Sequence, residues 1–227
     1  MLPSKDKLII ALDVPDKAKA LALIDQLDGV ADFFKIGMEL GLMVDDEFIT
    51  SLIKRGKKIF LDYKYHDIGN TVESAVRNAA KLGVYMLTVH GEKQVIEAAV
   101  KGKQGSDLKV FAVTVLTSLG EDYAAQYNCS LKDLVLRRAG YAHDLKADGV
   151  ISSPLEALEI KKKFPKLLIA TPGIRPSGTS KDDQNRAATP AAALKNGADY
   201  LVVGRPITQA QDPRQAAVSV LEEMRKS

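Results

Sequence analysis

At 227 residues, 46% hydrophobic and 27% charged, the chain has the composition of one globular domain large enough to bury a core, which excludes a disordered segment. A formal net charge of +3, with Lys and Arg spread along the sequence, argues against a dedicated nucleic-acid protein and suits a small anionic ligand. The single cysteine, Cys129, excludes an intrachain disulfide and a cysteine-based zinc site. Three histidines (His66, His90 and His143) without H-x-x-x-H spacing argue against a histidine metal site as well. Met1 to Lys7 carry charge with no apolar stretch behind them, so a secretion signal is not expected. No apolar run approaches the ~20 residues of a membrane span. The expectation is a cytosolic protein with neither membrane nor nucleic acid as partner.

In chain order, short β-rich apolar runs alternate with helical patterns. Strands are predicted at Leu8–Val14, Phe33–Gly37, Lys58–Lys64, Tyr85–His90, Val110–Leu116, Gly149–Ser153, Leu167–Pro172 and Tyr200–Arg205. Between the third and fourth, Val72, Ala75, Val76 and Ala79 repeat at i, i+3, i+4 and i+7, the stripe of a half-buried helix. Gly56, Gly83 and Gly197 sit just past helical patterns, where a helix-ending glycine belongs. The stretch from Gly173 to Ala188 is the longest irregular one and is read as a lid or binding loop. Thr189-Pro190 starts the next helix. Near the end, Asp212-Pro213 reads as N-cap and first-turn proline, followed by Ala217, Val220, Leu221 and Met224 on one face. Eight β-then-α units predict a single (β/α)8 TIM barrel over residues 1–227, with a doubly wound open sheet as the alternative.

Catalytic residues of such a barrel sit at the C-terminal ends of its strands. Strand side chains alternate, and the outer face, lying under helices, wants apolar groups. Leu61 and Tyr63 meet that need, which turns Asp62 and Lys64 to the mouth of the barrel. The same parity turns Asp13 inward, out of phase with Ile10 and Leu12, and Lys35 inward between Phe34 and Ile36. Four charges of both signs thus converge. An ion-pair network that merely closes the barrel is the plain alternative to a catalytic cluster, and buried charges have to be paired in either case. At the seventh and eighth strands, Thr171-Pro172-Gly173-Ile174-Arg175 and Val202-Val203-Gly204-Arg205-Pro206 pair glycines with arginines, where this fold often holds phosphate. His66 is expected to pack or cap within its loop. His90 faces inward if Thr88 does, Cys129 is an incidental thiol, and Lys161 to Lys163 form a solvated helix face.

The run Leu61-Asp62-Tyr63-Lys64-Tyr65-His66-Asp67-Ile68-Gly69-Asn70-Thr71-Val72 closely resembles the D-x-K-x-x-D-I-x-N-T signature of the orotidine 5′-monophosphate decarboxylases. Ala11-Leu12-Asp13, Phe34-Lys35-Ile36-Gly37, Val113-Thr114-Val115-Leu116-Thr117-Ser118, the two Gly-Arg segments and Asp183-Gln184-Asn185-Arg186 are similar to that family in the same order. The resemblance implies decarboxylation of orotidine 5′-monophosphate to UMP in pyrimidine biosynthesis, with no metal and no cofactor. Under it, Lys64 protonates pyrimidine carbon 6, Asp62 lies beside the substrate carboxylate, and Lys35 and Asp67 complete an alternating charge network. It implies a homodimer in which Asp67 and Thr71 serve the partner's active site. Asp13 is implied at the ribose, Thr117 and Ser118 at the pyrimidine, and Arg175, Gln184, Gly204 and Arg205 at the 5′-phosphate.

One departure stands out: Gly69 occupies the place where the family usually has proline, which loosens the backbone that positions Asp67 and Thr71. Two other readings compete. Magnesium-dependent 3-keto-gulonate 6-phosphate decarboxylases and hexulose-phosphate synthases share the D-x-K-x-x-D strand but place an acidic ligand where this chain has Lys35. A non-catalytic barrel that only binds nucleotides is expected to have lost Lys64 or Asp62, and both are present.

Overall fold

In the computed structural model, which describes residues 4–176 and 187–226, eight parallel strands form a closed barrel in sequence order. They are β1 (Leu8–Ala11), β2 (Phe33–Gly37), β3 (Lys58–Tyr65), β4 (Met86–His90), β5 (Lys109–Val113), β6 (Gly149–Ile151), β7 (Leu168–Thr171) and β8 (Tyr200–Val203). The ring closes where Leu8, Ile9 and Ile10 of β1 pair with Leu201, Val202 and Val203 of β8. That closure rules out the open sheet. All eight predicted strands are present. The differences lie at their ends: β1 stops at Ala11 and β5 at Val113, because residues beyond the barrel rim leave the ladder and enter the mouth loops.

Alternation divides the interior into two cores. Side chains of one parity, including Ile9, Phe33, Phe60, Met86, Phe111, Ala170 and Tyr200, fill the barrel itself. The other parity, including Ile10, Phe34, Ile59, Leu61, Leu87 and Val110, packs outward beneath the helices. At the bottom of the barrel Phe33 meets Tyr85 and Tyr200 edge-on, with ring centroids 5.1 and 6.0 Å apart. These aromatics plug the barrel, with Lys58 and Lys109 from the N-terminal ends of β3 and β5 over the Tyr85 ring, and leave Lys35, Asp62 and Lys64 on the side of the C-terminal mouth.

The outer helices are fixed by local signals. Asp16, Asp45, Ser130, Thr189 and Asp212 each accept a backbone N–H from the first turn of the helix that follows. Proline follows the cap at Pro190 and Pro213, as predicted. Val72, Val76 and Ala79 of the helix Gly69–Lys81 are buried, and Ala75 is half-buried on the same stripe. The three glycines predicted past helix ends have φ of 76°, 82° and 99°. Among the described residues no helix is long and apolar enough to cross a membrane.

Candidate active site

The mouth of the barrel holds a cavity of about 580 Å³, within the size range of small-ligand sites. Its floor is apolar, formed by Ala11, Phe60, Val113, Ile151 and Val202, inward residues of five strands. Asp13, Lys35, Asp62 and Lys64 line one wall, and Arg175, Gly204 and Arg205 line another.

The four charged residues form an alternating chain. Lys35 Nζ lies 2.8 Å from Asp13 Oδ1 and 3.5 Å from Asp62 Oδ2, while Lys64 Nζ lies 2.8 Å from Asp62 Oδ1. Lys35 is buried and Asp62 nearly so, with side chains 8% and 14% exposed, so these charges are screened far less than surface pairs. Burial alone pushes the Asp62 carboxyl upward. The ammonium groups of Lys35 and Lys64, with hydrogen bonds from Lys64 and Thr88, outweigh it and hold the group below its ordinary value.

An irregularity in β3 builds this geometry. Leu61 pairs with Leu87 and Tyr65 with Val89, so four steps along β3 span two along β4. Lys64 takes φ of 48° within this stretch, a left-handed conformation uncommon for a residue with a side chain. Thr88, fully buried on β4, fills the resulting gap: its hydroxyl donates to Asp62 Oδ1 at 2.9 Å and accepts the Lys64 N–H at 3.0 Å. Two extra residues are an even number, so the inward parity of Asp62 and Lys64 survives the irregularity. Backbone strain held at a residue of such chemistry is common at functional sites.

Of the other residues singled out from sequence, Thr117 and Arg175 line the cavity, with Arg175 buried. Gly204 opens a short helix, Arg205–Thr208, and a methyl group added to it would stand 3.5 Å from Ala11 Cβ. Asp67, Thr71 and Ser118 are exposed and lie outside the cavity lining. The Asp67 carboxylate accepts the Ile68 N–H at 2.6 Å and makes no ion pair among the described residues. Gln184 lies outside the described residues.

Sequence reasoning missed Thr88 as a site residue, although a polar side chain at an inward position of β4 was the signal for it. It also missed Glu92 and Arg138. Buried Arg138 reaches the Thr114 carbonyl and Glu92 Oε1, each at 2.6 Å, and packs against the rings of Tyr123 and Tyr127. His66, expected to pack within its loop, stacks on His90 with centroids 4.6 Å apart. Burial, with smaller contributions from His66, Arg138 and Lys64, outweighs the pull of Glu92 and holds His90 below its ordinary value.

The arrangement can place an ammonium proton donor beside a fixed carboxylate, a few strands from two arginines able to bind an oxyanion. A family model described as orotidine 5'-phosphate decarboxylase / HUMPS family matches residues 6–220. The orotidine 5'-phosphate decarboxylase of Nitrobacter winogradskyi is 47% identical over 224 residues, covering 97% of this chain and 93% of that protein. That of Caulobacter sp. strain K31 is 50% identical over 222 residues, 96% of each. Among solved structures, the orotidine 5'-phosphate decarboxylase from Lactobacillus acidophilus is 37% identical, with a TM-score of 0.84 over 96% of this chain and 98% of that one. An uncharacterized conserved protein from Geobacillus kaustophilus, 30% identical, has a TM-score of 0.82 over 96% and 99% of the two chains.

Proposed function

Since the chain belongs to the orotidine 5'-phosphate decarboxylase / HUMPS family, we propose that it decarboxylates orotidine 5′-monophosphate to UMP in pyrimidine biosynthesis, as a cytosolic homodimer. The observation that carries this reading is the Asp13–Lys35–Asp62–Lys64 chain of alternating charge at the mouth of the barrel. The substrate carboxylate sits against Asp62. When the bond to carbon dioxide breaks, its electron pair stays on pyrimidine carbon 6, which has no ordinary resonance sink. Lys64 stabilises that charge as it develops and then gives carbon 6 its proton. An ammonium already fixed by Asp62 and by the Thr88-anchored backbone need not reorganise, and so does more than water could.

Two carboxylates ~4 Å apart repel by about 4 kcal/mol at an effective dielectric near 20. Departure of carbon dioxide relieves that repulsion, although the charge stabilisation at Lys64 is the primary effect in this reading. Asp13 takes the ribose and Thr117 and Ser118 the pyrimidine edge. Arg175, Gly204 and Arg205, with Gln184 from the 173–188 loop, take the 5′-phosphate. Phosphate binding far from the reacting bond supplies energy for orientation.

Asp67 and Thr71 belong to the partner's site in this reading. Their exposure supports that assignment, as does the neighbouring apolar surface of Met38, Leu42, Met43 and Ile68, 55% to 90% exposed. The magnesium-dependent alternative has less support. The Lys35 ammonium already stands between the two carboxylates that a cation there would need. The chemistry needs neither metal nor cofactor, since Lys64 supplies both positive charge and proton.

The test is turnover of orotidine 5′-monophosphate, followed by its ultraviolet absorbance, with protein stripped by EDTA. Lys64→Ala should lose turnover by at least about a thousandfold while still binding UMP. Absence of turnover in the unmodified protein sinks the reading, and magnesium-dependent turnover of a sugar-phosphate keto acid would put the sister activity in its place.

A further inference from the structure

Beyond the charged chain, one group of side chains has the donor set of a metal centre. His66 comes from the turn after β3, His90 from the end of β4, and Glu92 from two residues further on. His66 Nε2 lies 3.9 Å and His90 Nδ1 3.6 Å from Glu92 Oε2, and the three atoms are all within 4.8 Å of one another. The imidazoles stack nearly parallel, at an interplanar angle of 17° with centroids 4.6 Å apart, so half-exposed His66 has to turn for the in-plane lone pairs of both rings to meet at one ion.

A second, independent observation concerns the carboxylate. Arg138 holds Oε1, whereas Oε2 is shut off from water and accepts no hydrogen bond. Buried oxygens are normally satisfied, so an orphan aimed between two imidazoles is short of a positive partner. Among the described residues no other group of His, Cys, Asp and Glu comes together in this way.

We propose that His66, His90 and Glu92 form a binding site for a divalent transition ion of the zinc class, at the barrel rim and outside the decarboxylation chemistry. Two nitrogens and one oxygen are the donors zinc takes, with water in the fourth position. Two imidazoles are wrong for magnesium or calcium, which take oxygen. Metal bonds of about 2.0–2.2 Å set tetrahedral ligand atoms roughly 3.4 Å apart, so the 3.6 and 3.9 Å from the carboxylate to the imidazoles shorten by up to about half an ångström as the His66 ring turns out of its stack. Arg138 fixes the carboxylate from behind, the supporting contact that ligating groups usually have. Local spacing could not reveal the site, because adjacent parallel strands bring its histidines together over a separation of 24 residues, from 66 to 90. His66 lies between Lys64 and Asp67, so a bound ion pins the turn that carries Asp67 to the end of β4.

The test is titration of the EDTA-stripped, full-length protein with Co²⁺, read by the visible absorption of four-coordinate cobalt and by its loss when Zn²⁺ is added. This readout is independent of turnover and so separable from the decarboxylase assignment. One ion per chain is expected to bind. His66→Ala and Glu92→Gln should each weaken binding about tenfold or more, and His143→Ala, which removes an exposed histidine elsewhere, should leave it unchanged. Circular dichroism checks that each variant is folded, and half-exposed His66 keeps the test open should Glu92→Gln not fold. No saturable binding up to about 1 mM, binding indifferent to His66→Ala, or binding lost in His143→Ala would each overturn the proposal.

Discussion

Thr88 is a neutral residue that sets the geometry of a charged pair, since one hydroxyl holds both the Asp62 carboxylate and the Lys64 backbone. Thr88→Val keeps the shape and removes both bonds, leaving buried partners unmatched. It should lower stability by about 1–3 kcal/mol in urea unfolding. Turnover should fall about tenfold to a hundredfold with KM less affected, because Lys64 loses its fixed position. A change confined to stability would mean that Thr88 only packs. Asp62 makes a pH prediction. Its folded value lies below the ordinary 3.8, so its contribution to stability is complete above that pH and is lost as pH falls through the folded value. Asp62→Asn should therefore flatten the acid limb of the stability–pH curve below about pH 4 and leave the slope between pH 5 and 8 unchanged. An altered slope in the neutral range would contradict the assignment. Asp13, Lys35, Asp62 and Lys64 were legible in the sequence because strand alternation is a strict geometric rule. The part played by Thr88 was not, because it depends on two extra residues in the neighbouring strand, and register irregularities leave no sign in local sequence.

At the scale of elements, the helix Gly69–Lys81 begins poorly. Its N-cap, Ile68, makes no side-chain capping bond, and Gly69 fills the first helical position. Proline suits that position: it fixes the required φ and gives up an N–H that a helix start leaves unbonded in any case. Ile68, at φ −59° and ψ 149°, already has the extended backbone that a residue before proline adopts. A Cβ on Gly69 would stand 3.7 Å from Ala98 Cβ, ordinary contact. Gly69→Pro should thus stabilise the protein by about 0.5–1 kcal/mol, raising Tm by roughly 2 °C in calorimetry. A fall in Tm would show that the turn needs glycine's freedom. Element type and order were readable throughout, since alternation and capping residues act within a few positions. Strand ends were less so: Val14 and Leu116 look like strand residues, yet lie past the rim where no neighbouring strand remains to pair with them.

For the whole molecule the proposed dimer is the feature least legible in the chain, because no periodicity encodes which surface meets a second copy. It makes a sharp prediction. If Asp67 serves the partner's site, Lys64→Ala and Asp67→Ala chains should each be nearly inactive alone and regain activity when mixed and allowed to exchange. A hybrid dimer has one site with both residues intact, so random exchange should restore about a quarter of the wild-type sites. No recovery, with exchange verified by mass, would place Asp67 in its own chain's chemistry or in none. The pairing of β1 with β8 bears on a different property. With the ring closed, no barrel strand offers a bare row of amide and carbonyl groups to a stranger. Fibrous or edge-paired aggregation has to wait until that seam parts, so cloudiness on heating should follow loss of the barrel and never precede it.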